Sequence, residues 1–164
     1  MQILIKTFRW AGLVSLPVFL VTIPNPSIAQ NIGIGSCADS LIADGVTNSA
    51  AAAACSDALE PRVLASCVAD IIGDTDIEGN AALQACYRVR RPDELASCVT
   101  TISSNLESGP IMALDTCRRS LLPIRHAECT LDLASIPDIS SEEAMESCIA
   151  AEFSPSEVDP ATAN

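Results

Sequence analysis

The sequence predicts an all-α fold, an array of short antiparallel helical hairpins in which disulfides link the helices. From Cys55 onward the separation between successive cysteines alternates between 12 and 19, so that the cysteines follow a 31-residue repeat. Prolines, alanines and large aliphatic residues recur in register with the cysteines, many of them at offsets that share one helical face. Repeats of this length are typical of stacked two-helix units. The spacing leaves open whether the hairpins stack as a solenoid or close into a compact bundle.

Residues 1–29 have the three-part layout of a secretory signal peptide. Lys6 and Arg9 precede an apolar run over residues 10–21, and small residues lead to a cleavage position after Ala29. The apolar run is too short for a good membrane span. We therefore expect a secreted or periplasmic protein that keeps no stable membrane anchor once this segment is removed.

The helical-repeat domain is expected over residues 30–153, as four hairpins that contain two cysteines each. The expected helices lie near 36–43, 49–59, 61–72, 80–89, 92–103, 110–121, 123–135 and 141–152. No alternating pattern in this range indicates a strand. Residues 154–164 combine prolines with small and acidic residues, and we expect them to form a disordered acidic tail.

Proline, glycine and serine mark the expected helix ends. One proline in each 31-residue repeat fits the first helical position, where its missing N–H costs nothing. These prolines are Pro61, Pro92 and Pro123. Gly45 and Gly73 fit left-handed residues just after a helix end. Ser140 and Glu143 have the spacing of a capping box that opens the last helix.

Eight cysteines in a short chain outside the cytosol indicate disulfides. Pairing across the longer separation uses every cysteine. It joins Cys37–Cys55, Cys67–Cys86, Cys98–Cys117 and Cys129–Cys148. Pairing across the shorter one (55–67, 86–98, 117–129) leaves two cysteines over and offsets partners by roughly 4–5 Å along the helices, yet it remains an alternative. Zinc binding is disfavoured, because zinc ligands usually include two residues that are two to four positions apart.

Composition and charge exclude several classes of protein. Residues 30–164 contain seven arginines, no lysine and 21 acidic residues, which gives a net charge of −14. So short and acidic a chain is not a large multidomain enzyme, a polytopic membrane protein or a generally basic nucleic-acid binder. Since Tyr87 and Phe153 are the only aromatic residues in this range, the core must be aliphatic, which suits closely packed helices.

The arginines occupy only the short segments between the cysteine pairs. They are Arg62, Arg88, Arg90, Arg91, Arg118, Arg119 and Arg125. In a stack of hairpins these segments lie on one edge, so we expect an arginine-bearing edge opposite an acidic one. Guanidinium groups bind carboxylates and phosphates in fork geometry, which makes this edge a candidate site for an anion or an acidic partner. The alternative is that the arginines pair with nearby acids and favour the carboxyl ends of helices.

One acidic turn is a candidate for calcium binding. Asp74, Asp76 and Glu78 stand at the first, third and fifth positions of a segment that resembles the first half of an EF-hand loop. Position 12 is Ala85, where that loop needs a bidentate carboxylate. A solvated acidic turn is the competing interpretation, and no metal site is predicted.

Groups suited to catalysis are sparse in the sequence. His126 is the only histidine, and it stands at the repeat position that Leu64 and Leu95 hold elsewhere, which favours packing over proton transfer. No lysine follows the predicted cleavage position, and every thiol is expected to be oxidised. We therefore predict neither an enzyme nor a cofactor.

The sequence thus predicts a secreted or periplasmic helical-repeat protein that acts by binding, with another protein as the expected partner. A carrier of a small ligand, an anion or calcium is the alternative. A carrier is expected to enclose a cavity between hairpins, whereas an interaction module is expected to expose an apolar or arginine-bearing groove.

Overall fold

The computed structural model describes residues 33–153, and over this range it consists of eight α-helices and no strand. The helices are α1 (Ile34–Ala43), α2 (Asn48–Asp57), α3 (Pro61–Asp74), α4 (Gly79–Cys86), α5 (Pro92–Asn105), α6 (Pro110–Arg119), α7 (Pro123–Ala134) and α8 (Ser141–Phe153). The all-α prediction is confirmed, and each boundary lies close to its expected position. The predicted signal peptide (1–29) and acidic tail (154–164) lie outside the described residues. No helix between residues 33 and 153 is long and apolar enough to cross a membrane.

The helices form two layers in which the hairpins follow one another in chain order. In the first layer α1, α3, α5 and α7 pack side by side, and each even-numbered helix packs against the odd-numbered helix before it. In the second layer α6 touches α4 and α8 less extensively. Because the contacts run from each hairpin to the next, the array is solenoid-like.

The core between the two layers is aliphatic, as the composition predicts. Val68 and Ile71 of α3 and their equivalents in α5, Val99 and Ile102, are fully buried. The equivalent of the two valines in α7 is Thr130, which is fully buried as well. The last odd-numbered helix therefore buries a hydroxyl group where α3 and α5 bury only carbon.

Each hairpin is closed by one disulfide between its two helices. The bonded pairs are Cys37–Cys55, Cys67–Cys86, Cys98–Cys117 and Cys129–Cys148. The Cα atoms of each pair are 5.9 or 6.0 Å apart, so the two cysteines lie level on antiparallel helices. This is the pairing across the longer separation. In the chain-entropy description, a loop of this length adds about 3 kcal/mol to the free energy of unfolding, which offsets the small side chains of the core.

Prolines and a serine mark the amino ends of helices, as predicted. α3, α5 and α7 begin at Pro61, Pro92 and Pro123. Before α8, the Glu143 N–H donates a 3.1 Å hydrogen bond to the Ser140 Oγ, which is the serine half of a capping box. Local sequence therefore sets where these helices start.

The two glycines expected at helix ends behave differently. Gly45 follows α1 with a φ of +83°, as predicted. The prediction for Gly73 is wrong, because this residue lies inside α3. The Thr75 hydroxyl donates to the Ile71 carbonyl and accepts from the Ile77 N–H, so this helix end is satisfied without a left-handed glycine.

Two close contacts show how neighbouring hairpins are oriented. Gly33, just before α1, lies against the Arg62 side chain at the start of α3. At the opposite edge, a Cβ on Gly79 would overlap the carbonyl oxygen of Asp44, so the start of α4 packs directly on the turn after α1. In this antiparallel arrangement the odd-numbered helices begin at one edge of the stack and the even-numbered helices begin at the other.

Candidate functional site

The connections between hairpins lie together on one edge of the stack, here called the short-turn edge. They are the turns 58–60, 87–91 and 120–122, each of which joins an even-numbered helix to the next odd-numbered helix. The first two turns meet at a first junction, and the second and third turns meet at a second junction. At a third junction the turn 120–122 meets the end of α8.

At the first junction a carboxylate at the end of α2 is bonded to the turn 87–91. The Asp57 carboxylate accepts a hydrogen bond from the Tyr87 hydroxyl and two from Arg88, at 2.7 Å from Nη2 and 3.1 Å from Nε. The Arg88 guanidinium also lies over the Tyr87 ring, 5.2 Å from its centroid. The hydrogen bonds from Tyr87 and Arg88 hold the pKa of Asp57 below its ordinary value. We call these three residues the Asp57 clamp.

At the third junction another carboxylate has the same role. Glu152 of α8 accepts a hydrogen bond from the Ser120 hydroxyl at 2.6 Å and one from the Leu121 backbone N–H at 2.7 Å. These bonds fix the end of α8 to the turn 120–122. A carboxylate of the chain itself thus bridges both the first and the third junction.

The second junction has no such carboxylate among its described residues. Arg88 stands one full repeat after Asp57. In the same register, Arg118 follows Tyr87 and Arg119 follows Arg88. At the first junction this register pairs an acid, Asp57, with a base, Arg88. At the second junction the same register brings arginines together in one groove.

These side chains line a groove between the turns 87–91 and 120–122, here called the arginine groove. Five of the seven arginines in the predicted edge contribute to it: Arg88, Arg90, Arg91, Arg118 and Arg119. All five are solvent-exposed. The groove has a volume of about 400 Å³, and none of its described lining residues is acidic. It is a concentrated cationic site on a strongly acidic protein.

Two arginines of the groove pair with acids that lie close to them in the sequence. Arg91 lies 3.2 Å from the Glu94 carboxylate, and Arg119 lies 3.1 Å from the Asp115 carboxylate. These ion pairs are exposed to solvent, where such pairs contribute little to stability. Neither acid lines the groove.

Arg90 and Arg118 form no ion pair with any residue of the range 33–153. Local neutralisation of the arginines, which the sequence left as the alternative, therefore applies to three of the five side chains in the groove. The other two present their charge to solvent alone.

The structure does not bring Arg62 and Arg125 into the arginine groove. Arg62 lies beside Gly33 at the start of the stack. Arg125 lines a smaller groove of about 310 Å³ at the third junction, together with His126 and Glu152. The seven-arginine edge is therefore a central group of five with one arginine on either side.

His126 is buried at the third junction, with 1% of its surface exposed. Neither ring nitrogen has a hydrogen-bond partner among the described residues. Burial lowers the pKa of His126, while the charge of Glu152 opposes this shift and that of Arg119 adds to it. The imidazole is therefore neutral in the fold at pH 7.

A second groove, here called the apolar groove, adjoins the arginine groove at the first junction. It has a volume of about 560 Å³. Its rim carries the charged residues Asp57, Glu60, Arg88 and Arg90, and its walls include the apolar side chains of Leu59, Val63, Val89 and Pro92. Leu59 is completely exposed. Residues 87–90 line both grooves, so the two form neighbouring compartments along the edge.

The acidic turn between α3 and α4 is not assembled into a metal site. No three His, Cys, Asp or Glu side chains within residues 33–153 are arranged to hold a metal ion. Asp74, Asp76 and Glu78 are exposed. Ile77, which lies between them in the sequence, is 4% exposed and anchors the turn in the core.

Sequence reasoning does not identify Asp57, Tyr87 and Glu152 as residues of the site. The signal that points to the first two is the 31-residue register, because stacked repeats bring each turn beside the turn one repeat later. Glu152 has no equivalent acid in the earlier repeats, where Leu59, Arg90 and Leu121 occupy its position.

Comparison of the chain with protein-family models, with curated proteins and with solved structures finds no match. The chemistry of the short-turn edge is therefore the basis for assigning a function.

Proposed function

We propose that the protein is a secreted or periplasmic, non-catalytic binding protein whose arginine groove holds a carboxylate of a partner protein. The contrast between the junctions carries this proposal. The chain supplies a bridging carboxylate at the first and third junctions, whereas no described residue supplies one at the second. An acidic side chain from a partner completes the second junction in the same way.

Guanidinium chemistry favours a carboxylate in this position. The parallel N–H groups of an arginine match the two oxygens of a carboxylate, and hydrogen bonds between charged groups are stronger than neutral ones. Arg90 and Arg118 make such contacts without giving up an ion pair within the described range. We expect modest, salt-sensitive affinity, because exposed charges are screened over about 8 Å at physiological ionic strength.

The disulfides support a location outside the cytoplasm. All eight cysteines are bonded in pairs. Disulfides form and persist in oxidising compartments such as the extracellular space and the periplasm. The signal-peptide layout of residues 1–29 points the same way.

Binding of acidic peptides tests the proposal. The purified disulfide-bonded protein is titrated into a fluorescent peptide that carries glutamates, and into its glutamine counterpart. The double variant Arg90→Gln, Arg118→Gln removes two guanidinium groups that no acid in the described range pairs with. We expect it to bind the glutamate peptide about tenfold more weakly, with an unchanged helical circular dichroism spectrum.

The matched control is Arg62→Gln with Arg125→Gln, which removes the same charge from the same edge but outside the arginine groove. General electrostatics alone should weaken its binding by less than about threefold. Equal losses in the two double variants, or equal affinity for the glutamate and glutamine peptides, would contradict the proposal.

A carrier of a small anion is the second candidate, because a groove of about 400 Å³ falls within the size range of small-molecule sites. Isothermal titration with succinate separates the two functions. A carrier binds succinate as tightly as it binds the peptide, whereas an interaction module binds the peptide at least about tenfold more tightly through its further contacts.

A further inference from the structure

We infer that the partner segment is an extended peptide in which an apolar side chain, three residues from the carboxylate, occupies the apolar groove. This inference rests on the proposed function and specifies its ligand. It comes from the adjacency of two compartments of different chemistry on one edge, the arginine groove and the apolar groove.

The wall between the compartments belongs to both of them. Residues 87–90 line the arginine groove on one side and the apolar groove on the other. Across the apolar groove, Leu59 is completely exposed and Val63 is half-buried. Leu59 therefore contributes nothing to the core of the described chain, and it offers an apolar surface to any side chain that enters the groove.

The separation of the compartments sets the spacing in the peptide. Equivalent points in successive hairpins are separated by the distance between neighbouring packed helices, about 8–10 Å. A chain in polyproline II conformation rises about 3.1 Å per residue with three residues per turn. Side chains three residues apart then lie on the same face of the peptide, about 9 Å from each other. This distance places one side chain in each compartment.

Charge favours a short peptide over the other possible occupants of this edge. Residues 30–164 carry a net charge of −14. A second copy of the chain, or an anionic membrane, brings a large surface of like charge close to the protein and is repelled. A short peptide brings only the one or two charges that the arginine groove accepts.

A set of labelled ten-residue peptides tests the inference by fluorescence anisotropy with the purified disulfide-bonded protein. Two peptides carry Leu-x-x-Glu and Glu-x-x-Leu in a background of Pro, Ser and Gly, because the segment is able to enter in either direction. From the better binder, three controls change Leu to Ala, change Glu to Gln, or place Leu and Glu side by side. We expect each control to bind about tenfold more weakly than its parent.

Substitutions in the protein assign each preference to its compartment. Leu59→Ser should abolish the preference for Leu over Ala, and the fold should persist because Leu59 is completely exposed. The matched control is Ile111→Ser, since Ile111 is 61% exposed at the start of α6, on the opposite edge. That variant should keep the full preference.

The outcomes separate the inference from the proposed function. Equal binding of the Leu and Ala peptides to the unmodified protein overturns the inference and leaves the arginine groove as a carboxylate site. Equal binding of the Glu and Gln peptides overturns both. Binding to phosphatidylglycerol vesicles in preference to every peptide, or a dimer in light scattering that excludes the peptide, reassigns the edge to a membrane or to a second copy and also overturns both.

Discussion

The first and second junctions of the short-turn edge are formed by turns between successive hairpins and differ in charge. At the first, the Asp57 clamp joins the end of α2 to the turn 87–91 with hydrogen bonds from Tyr87 and Arg88. At the second, the same register places Arg88 beside Arg118 and Arg119. The repeat therefore brings successive turns side by side, while single residues decide whether a junction contains a bridging carboxylate of the chain itself.

The largest expected effect comes from giving the second junction a carboxylate of its own. Arg88→Asp places an acid beside Arg118 and Arg119, in the register that Asp57 holds at the first junction. Because the variant removes one guanidinium and neutralises another, affinity for the glutamate peptide should fall about 30-fold. Arg88 has a φ of +60°, a left-handed conformation that aspartate tolerates better than most residues, so the fold should persist. Fluorescence anisotropy measures the affinity, and circular dichroism measures the helical content.

Arg88→Gln is the control for this experiment. It removes the same guanidinium without adding an acid, so its affinity should lie between those of Arg88→Asp and the unmodified protein. If Arg88→Asp binds the glutamate peptide as tightly as Arg88→Gln does, the second junction is not the site of carboxylate binding.

An intermediate effect is expected at the third junction, where the repeat is broken by a buried histidine. His126→Leu restores the residue type of Leu64 and Leu95 and removes two buried nitrogens that lack partners in the described chain. Such unsatisfied groups cost about 1–3 kcal/mol, so the free energy of unfolding in urea should rise by about 1–2 kcal/mol.

The same substitution should also flatten the dependence of stability on pH. The pKa of His126 lies below its ordinary value of 6.5, so the unfolded chain takes up a proton first as the pH falls. Stability is therefore lost as the pH falls below about 6.5, and the loss ends below the lowered pKa of the folded state. Glu152 and Arg119 contribute their charges to this pKa and are unchanged in the variant.

Thr130→Val is the matched control, since its hydroxyl is also buried without a partner in residues 33–153 and valine holds the equivalent positions of α3 and α5. It should raise stability without changing the pH profile. A loss of stability in His126→Leu would show that the imidazole is hydrogen-bonded, for example to an ordered water.

The smallest effect is expected from breaking the first junction. Asp57→Asn leaves Arg88 without its ion-pair partner, so affinity for the glutamate peptide should rise about twofold. Thermal stability at neutral pH should fall only slightly, because the Asp57 clamp is exposed. Unchanged affinity in this variant would show that Arg88 does not contribute to the arginine groove.

The pH dependence of the small loss of thermal stability in Asp57→Asn shows whether it comes from the Asp57 clamp. The pKa of Asp57 lies below the ordinary 3.8, so the clamp stabilises the fold above that value and its contribution disappears as the pH falls through the lowered pKa. The melting temperatures of Asp57→Asn and the unmodified protein should therefore converge at low pH.

The helices could be predicted from the sequence because local spacing controls them. Pro61 opens its helix where a missing N–H costs nothing, and Cys67 and Cys86 lie level whenever the two helices around them are antiparallel. The prediction that Gly73 follows a helix end was wrong, because α3 continues past it and the Thr75 hydroxyl forms the hydrogen bonds at the helix end. The positions of glycines alone do not reveal a side chain, such as that of Thr75, that forms the hydrogen bonds at a helix end in place of a left-handed glycine.

The charge pattern of the site could be predicted only in part. Placement of the arginines in the short turns or in the helix ends beside them follows directly from their positions between the cysteine pairs. Which of them meet an acid does not, because Asp57 and Arg88 belong to different hairpins and meet only through the lateral packing of the stack. The same holds for Glu152 and Ser120, which are 32 residues apart.

Placing every arginine outside the disulfide-closed loops has a consequence for how the protein is degraded. Residues 30–164 contain no lysine, and each disulfide closes a loop without a basic residue. A protease that cleaves after arginine therefore cuts this range only outside the disulfide-closed loops. Complete digestion without reduction therefore separates the four hairpins into four disulfide-closed pieces, each with its disulfide intact.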